Sequence, residues 1–292
     1  MKRRTFVVET DAPLEAHLSR TLEEPPTVAR ARIEAGAVYV DGRRVKEPVR
    51  RVPAGATVSV VLEAKGASSA DVERPAAPAL VVLLEDDEVL AVDKPAGLPA
   101  QPTPDGEQSL LDLASVHLGR PAGLVHRLDR ETSGVTVFGK TDEATSALAA
   151  AFRDGHAQKT YLAVVASGLP ERGHLDTPLQ KDPSRPGRWR ALRSGNGLSA
   201  VTDFERLWDD GTRALVKLSP KTGRTHQLRV HLSSIGFPII GDRLYGGLAG
   251  SRCLLHAARL VIGARAIEAP PPGDFPAGAA AVTGSPTLDR PS

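Results

Sequence analysis

Gly123-Leu124-Val125-His126-Arg127-Leu128-Asp129-Arg130-Glu131-Thr132-Ser133-Gly134 is the densest chemical stretch of this 292-residue chain. It puts one carboxylate, Asp129, between two arginines, Arg127 and Arg130, with a glycine at either end. The apolar run Val135, Val137, Phe138 follows and alternates as a strand entering a core does. The expectation is a polar loop pinned beside a buried strand, a setting in which catalytic groups often sit. On composition alone the same residues read as a solvated surface loop, because most Arg/Asp clusters are solvated.

Three further stretches bear on the choice. They are Asp93-Lys94-Pro95-Ala96-Gly97-Leu98, Lys159-Thr160-Tyr161-Leu162-Ala163-Val164-Val165, and Lys221-Thr222-Gly223-Arg224-Thr225-His226-Gln227-Leu228-Arg229-Val230-His231. The last continues through Gly236-Phe237-Pro238-Ile239-Ile240-Gly241-Asp242 and Tyr245-Gly246. His-Arg-Leu-Asp followed by Thr-Ser-Gly resembles the signature of the RluA-type pseudouridine synthases. The other three stretches resemble that family's remaining motifs and stand in the family's order. The resemblance covers roughly residues 80 to 276. It implies an isomerase that converts uridine to pseudouridine in RNA, with Asp129 as the catalytic carboxylate.

Working outward, composition bounds the reading. Charged residues make up 25% and hydrophobic ones 41%, an ordinary globular balance. Net charge is only +2, so any nucleic-acid surface must be local. The single cysteine, Cys253, excludes an intramolecular disulfide and fits a reducing compartment. No apolar run approaches the roughly 20 residues a membrane helix needs. Met1-Lys2-Arg3-Arg4-Thr5 is basic, but no hydrophobic signal core follows it. The expectation is a cytoplasmic, monomeric protein without a membrane partner.

Residues 1–64 read as a small α+β module. Leu14, Leu18 and Leu22 recur at helical spacing, Pro25-Pro26 breaks the chain, and Thr27 can cap a helix from Val28 to Ala35. Val38 and Val40 alternate as a strand, Asp41-Gly42 is a hairpin turn signal, and Val58, Val60 and Leu62 give a last strand. This pattern resembles the S4 RNA-binding domain. Between Thr27 and Arg51 seven basic residues face three acidic ones, the local excess that phosphate contacts require. Arg30, Arg43 and Arg44 are the candidate RNA contacts. Residues 65–79, rich in Ala, Ser and Pro, read as a linker.

Residues 80–276 carry strands that outnumber helices and do not alternate regularly with them, which argues an α+β fold. The resemblance makes it the pseudouridine synthase fold, with a mixed, largely antiparallel central sheet. Expected strands include 80–84, 89–92, 135–138, 161–165, 200–207, 214–218 and 254–262. Expected helices are a short one around Leu110–Ala114, then 142–152 and 225–234. Residues 181–193 read as a basic loop, and 277–292 as a disordered tail of Ala, Gly and Pro.

Isomerising uridine means breaking the bond from C1′ to N1, turning the base, and joining C5 to C1′. One carboxylate can attack the sugar, attack the base, or take a proton from the sugar, and the residues leave all three routes open. Burial raises a carboxyl pKa and a cation beside it lowers it. Arg229 resembles the family arginine that pairs with the aspartate; its planar fork could hold both carboxylate oxygens. Tyr161 resembles the residue that stacks on the base, and Leu228 an apolar pocket residue. Arg127 could bind phosphate or fill the gap an extruded base leaves. Lys221 and Arg224 flank a glycine before a helix start and suit phosphate contacts.

No metal or cofactor is expected. His226 and His231 are five apart rather than four, no CxxC occurs, and Lys221-Thr222-Gly223-Arg224 lacks P-loop spacing. A retaining glycoside hydrolase would need a second carboxylate about 5 Å from the first, and Glu131 is the only other acid of the motif. A non-catalytic RNA-binding relative would have lost Asp129 or Tyr161. The RNA expected is ribosomal, with transfer RNA as the alternative.

Overall fold

In the computed structural model, which describes residues 2–34, 36–62, 79–103, 107–192 and 195–282, the chain divides into two units, Met1–Ala77 and Pro78–Ser292. All of the expected linker except residue 79 lies outside the described residues.

The first unit runs β1 (Lys2–Val7), β2 (Ala12–Pro13), α1 (Leu14–Leu22), α2 (Pro26–Glu34), β3 (Val38–Val40), β4 (Arg43–Val45), β5 (Arg51–Val52) and β6 (Thr57–Leu62). Its main sheet has the order β1-β6-β3-β4, antiparallel throughout. Leu14 and Leu18, one turn apart on α1, and Ala29 and Ile33 on α2 pack on the inward valines 38, 40, 45, 58 and 60. The second helix starts at Pro26, ahead of the expected Thr27 cap, because proline's missing N–H costs nothing at a first helical position. Asp41 and Gly42 both have positive φ, as a two-residue hairpin turn requires. Strand β1 escapes the periodicity because Lys2, Arg3 and Arg4 mask its alternation.

The second unit runs β7 (Val81–Glu85), β8 (Val89–Lys94), α3 (Leu110–Leu118), β9 (Gly123–Leu124), β10 (Ser133–Gly139), α4 (Asp142–Arg153), β11 (Gln158–Ala166), β12 (Arg172–Asp176), β13 (Leu179–Lys181), β14 (Trp189–Ala191), β15 (Val201–Asp209), β16 (Arg213–Pro220), α5 (Gln227–Ser234), β17 (Leu255–Ile262) and β18 (Arg265–Glu268). The large sheet has the order β12-β15-β16-β11-β17-β10-β8-β7, with β18 on β17 and β9 on β10. Only β10 with β17 is parallel; the other pairings are antiparallel. This is an α+β unit with a mixed, largely antiparallel central sheet, as expected.

Local signals explain the helix starts. Ser109 and Asp112 form a capping box on α3, and the Thr141 side chain accepts from the Ala144 amide on α4. Three expectations need correction. Residues 181–193 are not a plain loop: Leu179–Lys181 pairs with Trp189–Ala191 as a hairpin. Helix α5 begins at Gln227 rather than at residue 225, because His226 takes a left-handed φ of 57°. Ala277–Val282 forms a 3-10 helix with Ala279 buried in the core, where a disordered tail was expected; residues 283–292 lie outside the described residues.

Strand β10 is buried along its whole length. Its parallel contact is short, Ser133 and Gly134 opposite His256 and Ala257. A Cβ on Gly134 would lie 2.2 Å from the Ala257 carbonyl oxygen, and its φ is 112°, so this position demands glycine. The Asp129 loop enters the sheet at that junction.

Candidate active site

Two anchors hold the Asp129 loop. The His126 ring accepts the Val137 amide through Nε2 at 3.0 Å and stacks on Phe152 with centroids 4.4 Å apart. Burial pushes its pKa down to about 3, so it stays neutral. On the other side of Asp129, Lys94 is fully buried at the end of β8. Its Nζ donates to the carbonyls of Pro95, Leu98 and Arg130 at 2.9, 2.7 and 2.9 Å. Burial lowers its pKa to about 8, against the opposing pull of Asp129 and Glu131. The Gly97 amide also donates to the Arg130 carbonyl. The backbone is therefore pinned at the residue that follows Asp129.

Neither neighbouring arginine pairs with Asp129. Arg130 turns outward to Glu107 at 2.8 Å, and Arg127 is exposed at the pocket. The partner is Arg229 on α5, whose Nη1 donates to Asp129 Oδ2 at 3.3 Å. The expected two-oxygen fork is not on Asp129, however. Arg229 Nε and Nη2 grip Asp242 Oδ2 and Oδ1 at 2.7 and 2.8 Å, leaving one nitrogen for Asp129. Asp242 is 1% exposed and also accepts the Leu244 and Tyr245 amides. Burial works against the Arg229 charge, but the Asp242 hydrogen bonds and the two carboxylates outweigh it and hold the guanidinium above its usual pKa. The Nε–Nη2 edge is taken by Asp242, so Asp129 meets Nη1 alone.

His226 stands on the same oxygen. Its Nε2 lies 3.8 Å from Asp129 Oδ2, and its Nδ1 is 2.8 Å from the Tyr245 hydroxyl. Among the described residues no protein hydrogen bond falls on Asp129 Oδ1. Gln227 braces the turn before α5, accepting from the Thr222 hydroxyl and the Arg224 amide and donating to Val201 and Thr202.

One cavity is lined by Arg127, Asp129, Tyr161, Arg224, Leu228 and Arg229 together. Residues far apart in the chain thus meet as the motifs implied. Burial, with the Asp129 charge, raises the Tyr161 pKa above its ordinary value, so the phenol keeps its proton. Leu228 is buried at the pocket wall and in the main core at once. The Arg224 Nε donates to the Ser199 carbonyl. Lys221 does not line this cavity; it pairs with Asp203 at 3.2 Å and borders a neighbouring groove with Lys159. In the first unit, Arg30 grips both oxygens of Glu15, and Arg44 lies over the Tyr39 ring and donates to its hydroxyl. The Arg43 side chain lies outside the described residues.

Residues 88–234 match the family described as RNA pseudouridylate synthase. The ribosomal large subunit pseudouridine synthase D of Xanthomonas campestris is 37% identical over 237 residues, 76% of this chain and 68% of that protein. The chain belongs to the RluA-type RNA pseudouridine synthases. An uncharacterized RNA pseudouridine synthase of Zymomonas mobilis is 43% identical over 190 residues, 62% of this chain and 86% of the relative. The solved human RNA pseudouridylate synthase domain containing 4 superposes with a TM-score of 0.57 at 29% identity, covering 66% of this chain and 89% of that one. The enzyme is therefore an isomerase that acts on RNA.

In this pseudouridine synthase four site residues were not anticipated: Lys94, His226, Asp242 and Tyr245. Each lies inside a stretch already singled out in the sequence, so their positions were visible. Their roles were not, because the partners of each lie elsewhere in the chain; Arg229 and Asp129, for example, are 100 residues apart.

Proposed function

We propose that Asp129 is the catalytic carboxylate and that this synthase isomerises uridines of ribosomal RNA. What carries the reading is the arrangement of one carboxylate. Oδ2 takes the Arg229 hydrogen bond, while Oδ1 is left for substrate in a cavity that also presents Tyr161 and Leu228. The extruded uridine enters there. Oδ1 acts at the sugar or at the base, the C1′–N1 bond breaks, the base turns, and C5 bonds to C1′. The proton on C5 leaves and N1 gains one, so the product is an isomer of the substrate. Tyr161 offers the base its ring face and a protonated hydroxyl to the proton transfer. Arg229 aims Asp129 through its hydrogen bond to Oδ2, and Leu228 helps exclude water.

Arg127, Arg224 and, on the neighbouring groove, Lys221 meet the phosphates. The first unit acts as an S4-like RNA-binding module through Arg43, Arg44 and their basic neighbours. An RNA substrate fits action in the cytoplasm. Relatives named for the ribosomal large subunit favour ribosomal over transfer RNA.

Pseudouridines mapped in ribosomal and transfer RNA, from cells with and without the protein, test the target. Loss of sites in ribosomal RNA is expected, and loss confined to transfer RNA would overturn it. Purified Asp129→Asn tests the carboxylate. Turnover should vanish with RNA affinity nearly unchanged, because phosphate contacts carry most of the binding. Substantial pseudouridine formation by that variant removes Asp129 from the chemistry.

A further inference from the structure

We infer that His226 is a second positioning residue for Asp129, held by Tyr245 as the tautomer that carries its proton on Nε2. The inference rests on Asp129 being the reacting carboxylate.

The partners of the Tyr245 hydroxyl favour one His226 tautomer. The Tyr245 hydroxyl oxygen accepts the Trp189 backbone N–H at 3.0 Å. Its remaining partner among the described residues is His226 Nδ1, at 2.8 Å. A phenol oxygen can accept a further bond as well as donate one, but Nδ1 is the acceptor within reach of its proton among the described residues, so the arrangement that leaves this buried donor used has the phenol donating to Nδ1. Nδ1 is therefore an acceptor, and a neutral ring carries its hydrogen on Nε2. That nitrogen faces Asp129 Oδ2 at 3.8 Å, the oxygen that already takes Arg229 Nη1 at 3.3 Å. Burial favours the neutral ring by lowering the His226 pKa. The Arg229 hydrogen bond and the His226 ring 3.8 Å away both lie on Oδ2, which leaves Oδ1 to face the nucleotide.

The support behind His226 is as built as the contact itself. Tyr245 is 5% exposed, its ring stands edge-on to the imidazole at 84°, and Arg229 lies over its face. The Tyr245 amide donates to Asp242, the same carboxylate that grips Arg229. Asp242 thus fixes both routes to Asp129, one through Arg229 and one through Tyr245 and His226. The His226 backbone adopts φ 57°, a conformation that costs a non-glycine residue energy and is retained where surrounding structure imposes it. That turn aims the ring at the pocket instead of along the first turn of α5.

The two ring nitrogens can be separated by substitution. A glutamine amide reaches the place of Nε2 and keeps a donor toward Asp129; an asparagine amide reaches only the place of Nδ1. The assay is single-turnover release of tritium at saturating enzyme. The substrate is uridine-C5-tritiated total RNA from cells lacking the protein, with RNA affinity and thermal midpoint measured alongside. His226→Gln should stay within about tenfold of the parent rate, while His226→Asn falls by roughly 100-fold, the range typical of lost support around a functional group. RNA affinity should change less than twofold in both. Tyr245→Phe, which keeps the ring but frees the tautomer, should slow the reaction about tenfold. Equal rates for His226→Gln and His226→Asn, or the faster rate in His226→Asn, overturn the inference, because an anchor acting through Nδ1 alone would favour asparagine. Asp129→Asn runs in parallel: activity there defeats the reading of Asp129 itself, whereas an inactive Asp129→Asn beside a fully active His226→Asn defeats only the role of His226.

Discussion

Arginine–carboxylate pairs in the two units of this chain use the same chemistry under opposite solvation. In the first, Arg30 meets Glu15 with side chains 52% and 21% exposed, and Arg51 meets Asp11 at 67% and 57%. In the second, Arg229 meets Asp242 at 9% and 0%. The distances hardly differ, at 2.9, 2.8 and 2.7 Å. Exposed pairs of this kind are worth about 0–1 kcal/mol. A buried pair costs several kcal/mol to desolvate and cannot lose one partner cheaply. The Arg30 and Arg51 charges thus keep their partners at little gain, whereas the Arg229 charge is committed to placing one carboxylate.

The sharpest way to break this contrast is Asp242→Ala. It strands the buried Arg229 guanidinium and also removes the acceptor of the Leu244 and Tyr245 amides. The catalytic unit should lose about 3–5 kcal/mol. Both tryptophans, Trp189 and Trp208, lie in that unit, so their fluorescence in urea follows its unfolding alone. A loss below about 1 kcal/mol would mean that solvation does not separate the two classes of pair.

This network also shows what could be read before the structure. Strand β10 was legible because Val135, Val137 and Phe138 carry its pattern, and Asp129 because its motif is contiguous. The Asp129–Arg229 pairing is legible from resemblance, but that the fork closes on Asp242 and not on Asp129 is not. Arg229 and Asp242 lie 13 residues apart with the end of a helix and a turn between them, and no periodicity links them. The start of α5 was misplaced for a similar reason: residue type does not reveal that His226 takes a left-handed φ. The hairpin of β13 and β14 was hidden because Pro183, Pro186 and Gly187 dominate its tip, and its strands are three residues each.

Lys94 carries the contrast to a single charge. Its ammonium is fully buried with carbonyls as its hydrogen-bond partners, and its folded pKa is about 8 against 10.5 as a free side chain. Between those values the unfolded chain binds more protons than the folded one, so Lys94 makes stability rise with pH. Below about pH 8 both states are charged and the desolvation cost is present in full. From about pH 7.5 to about pH 10.5 the parent should gain on Lys94→Met by about 3 kcal/mol, because each tenfold difference in proton affinity between the two states is worth about 1.4 kcal/mol. Urea unfolding of both proteins at several pH values measures the difference. A difference independent of pH would show that Lys94 keeps an ordinary pKa despite its burial.

The smallest effect lies in the first unit and decides which of its arginines is available to RNA. Arg30 already holds Glu15 through Nε and Nη2, at 2.9 and 3.3 Å. A phosphate would have to displace that carboxylate, which offsets much of the electrostatic gain. Arg44 rests on the Tyr39 ring, 5.4 Å from its centroid, and among the described residues no carboxylate pairs with it. A cation over an aromatic face keeps its donors available at little cost in order. Arg44→Ala should therefore lower the slope of log affinity against log salt by about one, the signature of one lost phosphate contact. Arg30→Ala should lower it by clearly less, and each should change the stability of the unit by under about 1 kcal/mol. The measurement is RNA binding by the full chain across a salt series for both variants. Identical slopes for the parent and Arg44→Ala would remove Arg44 from the RNA surface. A larger change for Arg30→Ala than for Arg44→Ala would mean that pairing with an exposed carboxylate does not withhold an arginine from phosphate, and the trade of partners in this unit would be costless.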